Sequence, residues 1–380
     1  MASATDVIAN LKETGEPESM SNESARTNVS ETFTEAKTFA EVSDYFQRTG
    51  FSGTAGVYSP SGSYERGFGI EQGAPIKASD LVLIGSVTKQ FTAAATLRLL
   101  DLGKLQLSDA VSRYVAGVPN GITIHHLLVH TSGLAEMTER PEFSKLKRTR
   151  FSKLDPLVNM IVNLPPAFSV GAKWDYSNSN YVLLARIIEV VSGESWQNFL
   201  DRELFKRAGL KQTSFHVDRN TVIRGHTMAL DRALVPISDL AYYERGWAHG
   251  SGGLESTAAD LARWNEALYG GKVLSAHALK LMTTAHVVAE PGMSYGYGIM
   301  ISKDEVTKET IYYHPGGIPG YISMNMYFPA RRMSAIALAN YEGFDESAQL
   351  AKAFAAIASG RRAKLPELNA PSESVFNSVE

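Results

Sequence analysis

Leu83-Ile84-Gly85-Ser86-Val87-Thr88-Lys89-Gln90-Phe91 decides how the rest of the chain is read. An apolar run, Leu81 to Ile84, leads into it. A helical pattern with Phe91, Ala94, Ala95, Leu97 and Leu99 at its apolar positions leads out, and Gly103 reads as the stop. Ser86 therefore falls at or just before the first helical turn, with Lys89 three residues on along the same face. A serine hydroxyl is a weak nucleophile until a neighbouring base takes its proton. A lysine can be that base if burial or nearby cations lower its pKa. The helix start also leaves backbone N–H groups free to meet developing negative charge.

The spacing Ser-x-x-Lys alone carries little, because Ser144-Lys145-Leu146-Lys147 repeats it inside a polar, basic stretch with no apolar strand before it. Composition narrows the frame. The chain has 380 residues, 44% of them hydrophobic and 20% charged, with net charge −3. That suits a soluble enzyme of one large or two intermingled domains. No basic excess points to nucleic acid, and no apolar run reaches the ~18 residues of a membrane span. There is no cysteine, which excludes disulfides, thiol catalysis and cysteine metal sites. The first twenty residues lack a basic n-region and an apolar core, so no intact secretory signal is expected. A cytoplasmic protein and an exported one without its signal both fit.

Residues 1 to about 36 are rich in Ser, Thr, Glu and Asn and read as a flexible arm. Thr38 and Glu41 form a capping-box pattern for a helix from Phe39 to Arg48, closed by Gly50. Gly53 to Tyr58 and Tyr64 to Ile70 predict a hairpin turning at Ser59-Pro60-Ser61-Gly62. From about 104 to 245 the pattern is helices and long loops. A short helix is expected from Thr123 to Gly133. Its His126 and His130, four apart, invite a metal reading, but no Glu follows His126 as a zinc-protease helix needs. Residues 140 to 155 read as a basic surface loop. Tyr176 and Asn178 are expected on a loop before a helix from Val182 to Val191. Thr257 with Asp260 opens a helix to Leu268. Strands follow at Ile322 to Phe328 and Met333 to Asn340, then a helix from Glu346 to Ala358, and residues 361–380 read as a tail.

Three motifs now stand in order: Gly85-Ser86-Val87-Thr88-Lys89, Tyr176-Ser177-Asn178 and His314-Pro315-Gly316-Gly317. In order and spacing the set resembles the serine β-lactamase and penicillin-binding-protein superfamily. It is similar to class C β-lactamases, the D-Ala-D-Ala carboxypeptidase group, D-amino-acid amidases and β-lactamase-like esterases. Ile122 to Leu134 and Gly252 to Thr257 add to the likeness, which covers about residues 45 to 355. The resemblance implies an α+β fold: an antiparallel sheet flanked by helices, with a mostly helical insertion lobe at about 104–245 inside a catalytic domain of residues 37–360. It implies Ser86 as nucleophile, Lys89 and Tyr176 as acid–base groups, and Asn178, His314 and Gly316 as substrate-binding. The N–H groups of Ser86 and Gly317 would form an oxyanion hole. No cofactor or metal is implied.

The expected function is a serine hydrolase working through an acyl-enzyme on a small ester, amide or peptide substrate. D-Ala-D-Ala carboxypeptidase, D-aminopeptidase and true β-lactamase remain open within it. An acyltransferase and a penicillin-binding sensor that does not turn over are the alternatives of another class. Oligomeric state is not legible. Pro315 stands where related motifs carry Thr or Ser, and His314 replaces a lysine, so weak recognition of a substrate carboxylate is expected.

Overall fold

The computed structural model describes residues 33–143, 153–215, 222–229, 233–237, 246–342 and 346–366. Residues 1–32, the second Ser-x-x-Lys at Ser144 and most of the basic loop lie outside these, as does the tail beyond 366. Among the described residues no helix is long and apolar enough to cross a membrane.

The frame is an antiparallel sheet. Its strands in chain order are β2 (Gly53–Ser59), β3 (Gly62–Phe68), β6 (Val287–Glu290), β7 (Met293–Tyr295), β8 (Met300–Lys303), β9 (Thr310–Ile318), β10 (Tyr321–Phe328) and β11 (Met333–Ala339). Among the described residues they form one eight-stranded sheet in the order β6-β7-β8-β9-β10-β11-β2-β3. Both ends of the chain thus build one sheet. Strand β11 shows why both faces must be covered: all seven of its residues are buried. Met333, Ala335, Ala337 and Ala339 join one apolar cluster, and Ile336 and Leu338 the other. That is the alternation of a pleated strand with a core on each side.

Helices α1 (Phe39–Thr49) and α6 (Glu346–Ala358) cover the first face, bringing Val42, Phe46, Leu350 and Phe354. The Thr38–Glu41 capping box forms as the sequence predicts, and Gly50 closes α1 at φ +85°. The opposite face carries α2 (Thr88–Asp101), α5 (Ala258–Tyr269) and the helical insertion. Helix α2 is buried nearly all round, with Phe91 stacked on Trp264 at 4.1 Å between ring centroids. A helix apolar or small on every side belongs in a core.

Three differences from the sequence reading have physical causes. The helix expected from Thr123 to Gly133 is α3 (Ile124–Leu128) alone, because His130 takes φ +59° and ends any helix there. Asn178 is not on a loop: it is the first residue of α4 (Asn178–Ser192). The insertion is mostly helical, as expected, and also carries strands His226–Met228 and Leu234–Pro236, which pair with each other, the first of them pairing as well with Tyr341–Glu342 of the main body. The described strands also extend past both expected limits. Strand β1 (Phe33–Ala36), read as arm, pairs antiparallel with β12 (Ala363–Pro366), read as tail.

Candidate active site

Ser86 is lifted into place by two short elements. Strand β4 (Val82–Leu83) pairs with β5 (Glu255–Ser256), and a single 3-10 turn, Gly85–Val87, then opens α2. Gly85 sits at φ +49°, and a Cβ there would come within 2.6 Å of the Gly317 nitrogen. Only glycine satisfies both the backbone angle and the approach. The approach sets the Gly316-Gly317 segment of β9 against the turn that carries the Ser86 amide. Ser323 Oγ of β10 donates to the Ile84 carbonyl at 2.8 Å and pins the turn to the sheet.

Lys89 is 0% exposed yet fully partnered. Its Nζ lies 3.0 Å from Ser86 Oγ, 2.8 Å from Asn178 Oδ1 and 2.8 Å from the Ser251 carbonyl. Burial pushes its pKa down to about 7, against the pull of the Glu136 carboxylate, which favours the ammonium. Near neutral pH much of the amine is therefore uncharged. The carbonyl oxygens of Asn178 and Ser251 can only accept, so they take its two hydrogens. The remaining lone pair then faces the Ser86 hydroxyl. The arrangement can accept a proton from that hydroxyl.

Tyr176 completes the group. Its ring lies over Lys89, with Nζ 4.7 Å from the centroid. Burial raises its pKa well above the ordinary value, and the neighbouring Ser86 hydroxyl offsets only part of that. The phenol oxygen completes no hydrogen bond of good geometry with the described residues. In the resting site burial thus keeps Tyr176 a protonated phenol.

Asn178 is turned toward Lys89 by a residue that the sequence reading missed. Glu136 accepts the Asn178 backbone N–H and, at 3.2 Å, the side-chain amide. It also accepts the Thr138 N–H at 3.0 Å. A carboxylate on the first N–H of α4 caps that helix and meets its positive end. Because the cap comes from a segment forty residues away, no local cap pattern marks the helix start at Asn178. This also fixes the Asn178 amide, so that its oxygen and not its nitrogen meets Lys89.

His314 does not contact the cleft as a cation. It is 0% exposed, and burial, with Lys89 close by, pushes its pKa down to about 3. Its Nδ1 lies 2.6 Å from the Pro315 carbonyl and its Nε2 3.1 Å from Tyr295 Oη. The expectation of a substrate-binding His314 gives way to a neutral ring held inside β9. Gly316 is also spoken for by packing: a Cβ there would lie 2.1 Å from the Ile84 carbonyl oxygen and 2.3 Å from Ser323 Oγ. Gly317, one residue on, is half-buried and pairs with Ile322. His126 and His130 do not form a metal pair. His126 turns back on Thr123 at 2.9 Å, while His130 accepts the Ser177 N–H at 3.1 Å. Among the described residues no group of three or more His, Asp or Glu could hold a metal ion.

The family profile described as Beta-lactamase matches residues 42–359. A penicillin-binding protein of Bacillus subtilis (strain 168) is 31% identical over 312 residues, covering 77% of this chain and 68% of that protein. The match spans 56% to 68% of the first three curated relatives, less than two thirds of the second and third. Among solved structures, the penicillin binding protein from Bacillus halodurans superposes with TM-score 0.74 at 23% identity, covering 84% of this chain and 99% of that one. The D-amino acid amidase from Ochrobactrum anthropi SV3 gives TM-score 0.71 at 21% identity, covering 80% and 91%. The two structures share the fold.

Proposed function

Because the chain belongs to the Beta-lactamase family, we propose that it is a serine hydrolase acting through an acyl-enzyme on esters or amides that carry no obligatory carboxylate. One observation carries the reading: a fully buried lysine, its pKa pushed down to about 7, whose amine lies 3.0 Å from the Ser86 hydroxyl oxygen.

Ser86 Oγ attacks the carbonyl carbon while its proton passes to Lys89. The oxyanion is met by the Ser86 and Gly317 N–H groups, and losing one such donor typically costs ~10²–10³ in rate. The C–O or C–N bond then breaks, and Tyr176 gives its proton to the leaving group. The resulting phenolate is next to the Lys89 ammonium, which returns a proton to it. In deacylation a water takes the place of the leaving group, its proton goes back by the same pair, and Ser86 is released with a carboxylic acid.

Substrate class follows from the third motif. Pro315 has no hydroxyl and no N–H, and the neutral His314 offers no positive charge to a carboxylate. The relatives' names, a penicillin-binding protein and a D-amino acid amidase, support amide chemistry on this scaffold. The experiment is intact-mass detection of a covalent adduct with a fluorophosphonate in wild type and Ser86→Ala. It is paired with kcat/KM for p-nitrophenyl butyrate against benzylpenicillin. Labelling that survives in Ser86→Ala refutes the nucleophile. Penicillin turnover at the ~10⁴–10⁸ M⁻¹s⁻¹ of efficient enzymes refutes the substrate class.

A further inference from the structure

His130 is not among the proposed acid–base groups, yet it holds Tyr176 on both sides. The Asp175 N–H donates to its carbonyl at 2.9 Å. The Ser177 N–H donates to its Nδ1 at 3.1 Å. Its ring packs against the Tyr176 ring with centroids 4.4 Å apart. The two amides flanking Tyr176 are thus tied to one residue, which must take φ +59° to offer carbonyl and imidazole in the same direction.

The proton on that imidazole is assigned by its neighbours. Ser132 Oγ donates to Asn180 Oδ1 at 2.5 Å, so the Asn180 amide nitrogen is the end that faces His130 Nδ1, at 3.1 Å. Nδ1 therefore accepts from two N–H groups and carries no hydrogen, which places the hydrogen on Nε2. Nε2 lies 3.3 Å from Tyr295 Oη, and Tyr295 Oη lies 3.1 Å from His314 Nε2. Because His314 Nδ1 donates to the Pro315 carbonyl, its Nε2 must accept. The chain has one polarity: His130 to Tyr295 to His314 to the β9 backbone. It runs from the insertion to the strand that carries Gly317.

We propose that His130 is a positioning residue that fixes the Tyr176 phenol beside the leaving group and, through Tyr295 and His314, locks the Tyr176 loop to β9. The inference rests on the reading of Tyr176 as the acid that protonates the leaving group. A merely structural histidine would affect all substrates alike. A residue acting through Tyr176 would matter where the leaving group needs a proton.

The test compares ethyl butyrate, whose alkoxide must be protonated, with p-nitrophenyl butyrate, whose phenolate leaves without a proton. His130→Ala should lower kcat/KM for the ethyl ester about 10²-fold, the scale of a misplaced reacting group, and for the p-nitrophenyl ester by no more than about tenfold. In a Tyr176→Phe background it should cost no more than about twofold further. His130→Asn, tolerant of positive φ and able to accept the Ser177 N–H, should restore much of the loss. Tyr295→Phe, which keeps the clamp and removes the link, should show the same ester preference more weakly. Equal losses on both esters, or a full additional loss in the Tyr176→Phe background, would overturn the proposal. If His130→Ala does not fold, His130→Asn and Tyr295→Phe decide by the same ester ratio. Ser86→Ala separates the two levels. Activity surviving there would sink the serine mechanism, whereas an inactive Ser86→Ala with unselective His130 variants would sink this inference alone.

Discussion

Glu136 sits between two effects on Lys89 that act in opposite directions. Burial drives the amine toward its neutral form, and the Glu136 charge draws it back toward the ammonium. Removing that charge while keeping an oxygen, as in Glu136→Gln, should let the Lys89 pKa fall further. Acylation that depends on neutral Lys89 rises as pH passes upward through about 7. In Glu136→Gln that acidic limb should move to lower pH, measured as the pH profile of kcat/KM on p-nitrophenyl butyrate. A limb that stays in place, or moves up, would mean that Glu136 does not set the Lys89 charge state. The other groups near Lys89 are Tyr176, Tyr181, His130 and His314, and of these both tyrosines are held protonated and both histidines neutral by burial. Residue by residue, Ser86, Lys89, Tyr176 and Asn178 were legible because each lies in a short motif of fixed spacing. Glu136 and Tyr295 were not. They act on groups 42 and 19 residues away, and no pattern in a linear sequence marks such a partner. His130 was visible as a histidine, but its role depends on a positive φ that Thr131-Ser132-Gly133 does not announce.

Strand β9 does its work through how closely it lies against the Gly85–Val87 turn. The two meet through Gly85, Gly316 and Gly317, with Ser323 of β10 tied to Ile84. Gly316→Ala would put a Cβ 2.1 Å from a backbone oxygen, a contact no side-chain rotation can relieve. The strand must move off the turn, separating the two amides proposed for the oxyanion hole. Activity should fall by about 10²-fold or more, the cost of losing one donor, and Tm should fall as well. Normal activity in Gly316→Ala would show that the strand position is not critical. A second element test concerns the β1–β12 ribbon. It buries Ala36, Ala363 and Leu365 in the core beneath the sheet. A chain beginning at Lys37 loses this ribbon, whereas one beginning at Phe33 keeps it. The first should melt several degrees below the second, the shift that ~1–2 kcal/mol produces in a domain of this size. Equal melting temperatures would make the ribbon dispensable. The sequence could not show the ribbon, because Phe33-Thr34-Glu35-Ala36 and Ala363-Lys364-Leu365-Pro366 are each too short and mixed to read as strands alone. The long helices and central strands were legible because their apolar periods run for several turns or residues, and α6 runs from Glu346 to Ala358 as its sequence pattern predicts.

Across the whole molecule the same burial that tunes the site makes the fold acid-sensitive. His130, His249 and His314 are each 0–1% exposed. Burial pushes His249 down to about 4 and His314 to about 3, and His130 lies well below its ordinary value. An unfolded chain would bind protons at these positions near pH 6.5, and the folded one does not. Between about pH 6.5 and the folded values the unfolded state therefore carries more protons, so stability falls as pH falls through that window. At pH 5 the loss for a histidine fully neutral in the fold is about 2 kcal/mol, and three act together against a total stability of about 5–15 kcal/mol. Depressed carboxylates act later. Burial opposes ionisation of Glu203, but Arg98, Arg202 and Arg207 outweigh it, so its contribution is present above the ordinary carboxylate range and lost only at lower pH. Tm should accordingly drop steeply from pH 7 to pH 5, before carboxylates titrate, and unfolding at pH 5 should be accompanied by proton uptake measurable by calorimetry in buffers of different ionisation enthalpy. The drop should persist in Ser86→Ala, since it belongs to the fold and not to turnover. His314→Gln keeps an amide N–H for the Pro315 carbonyl and an oxygen for Tyr295, and it removes one titrating group. It should be less stable than wild type at pH 7 but lose less on acidification. A Tm that is flat from pH 7 to pH 5 would mean that these imidazoles take up protons in the fold as readily as in the unfolded chain. The polarity assigned to the His130–Tyr295–His314 chain would then fall with the acid prediction, because a protonated His314 cannot accept from Tyr295.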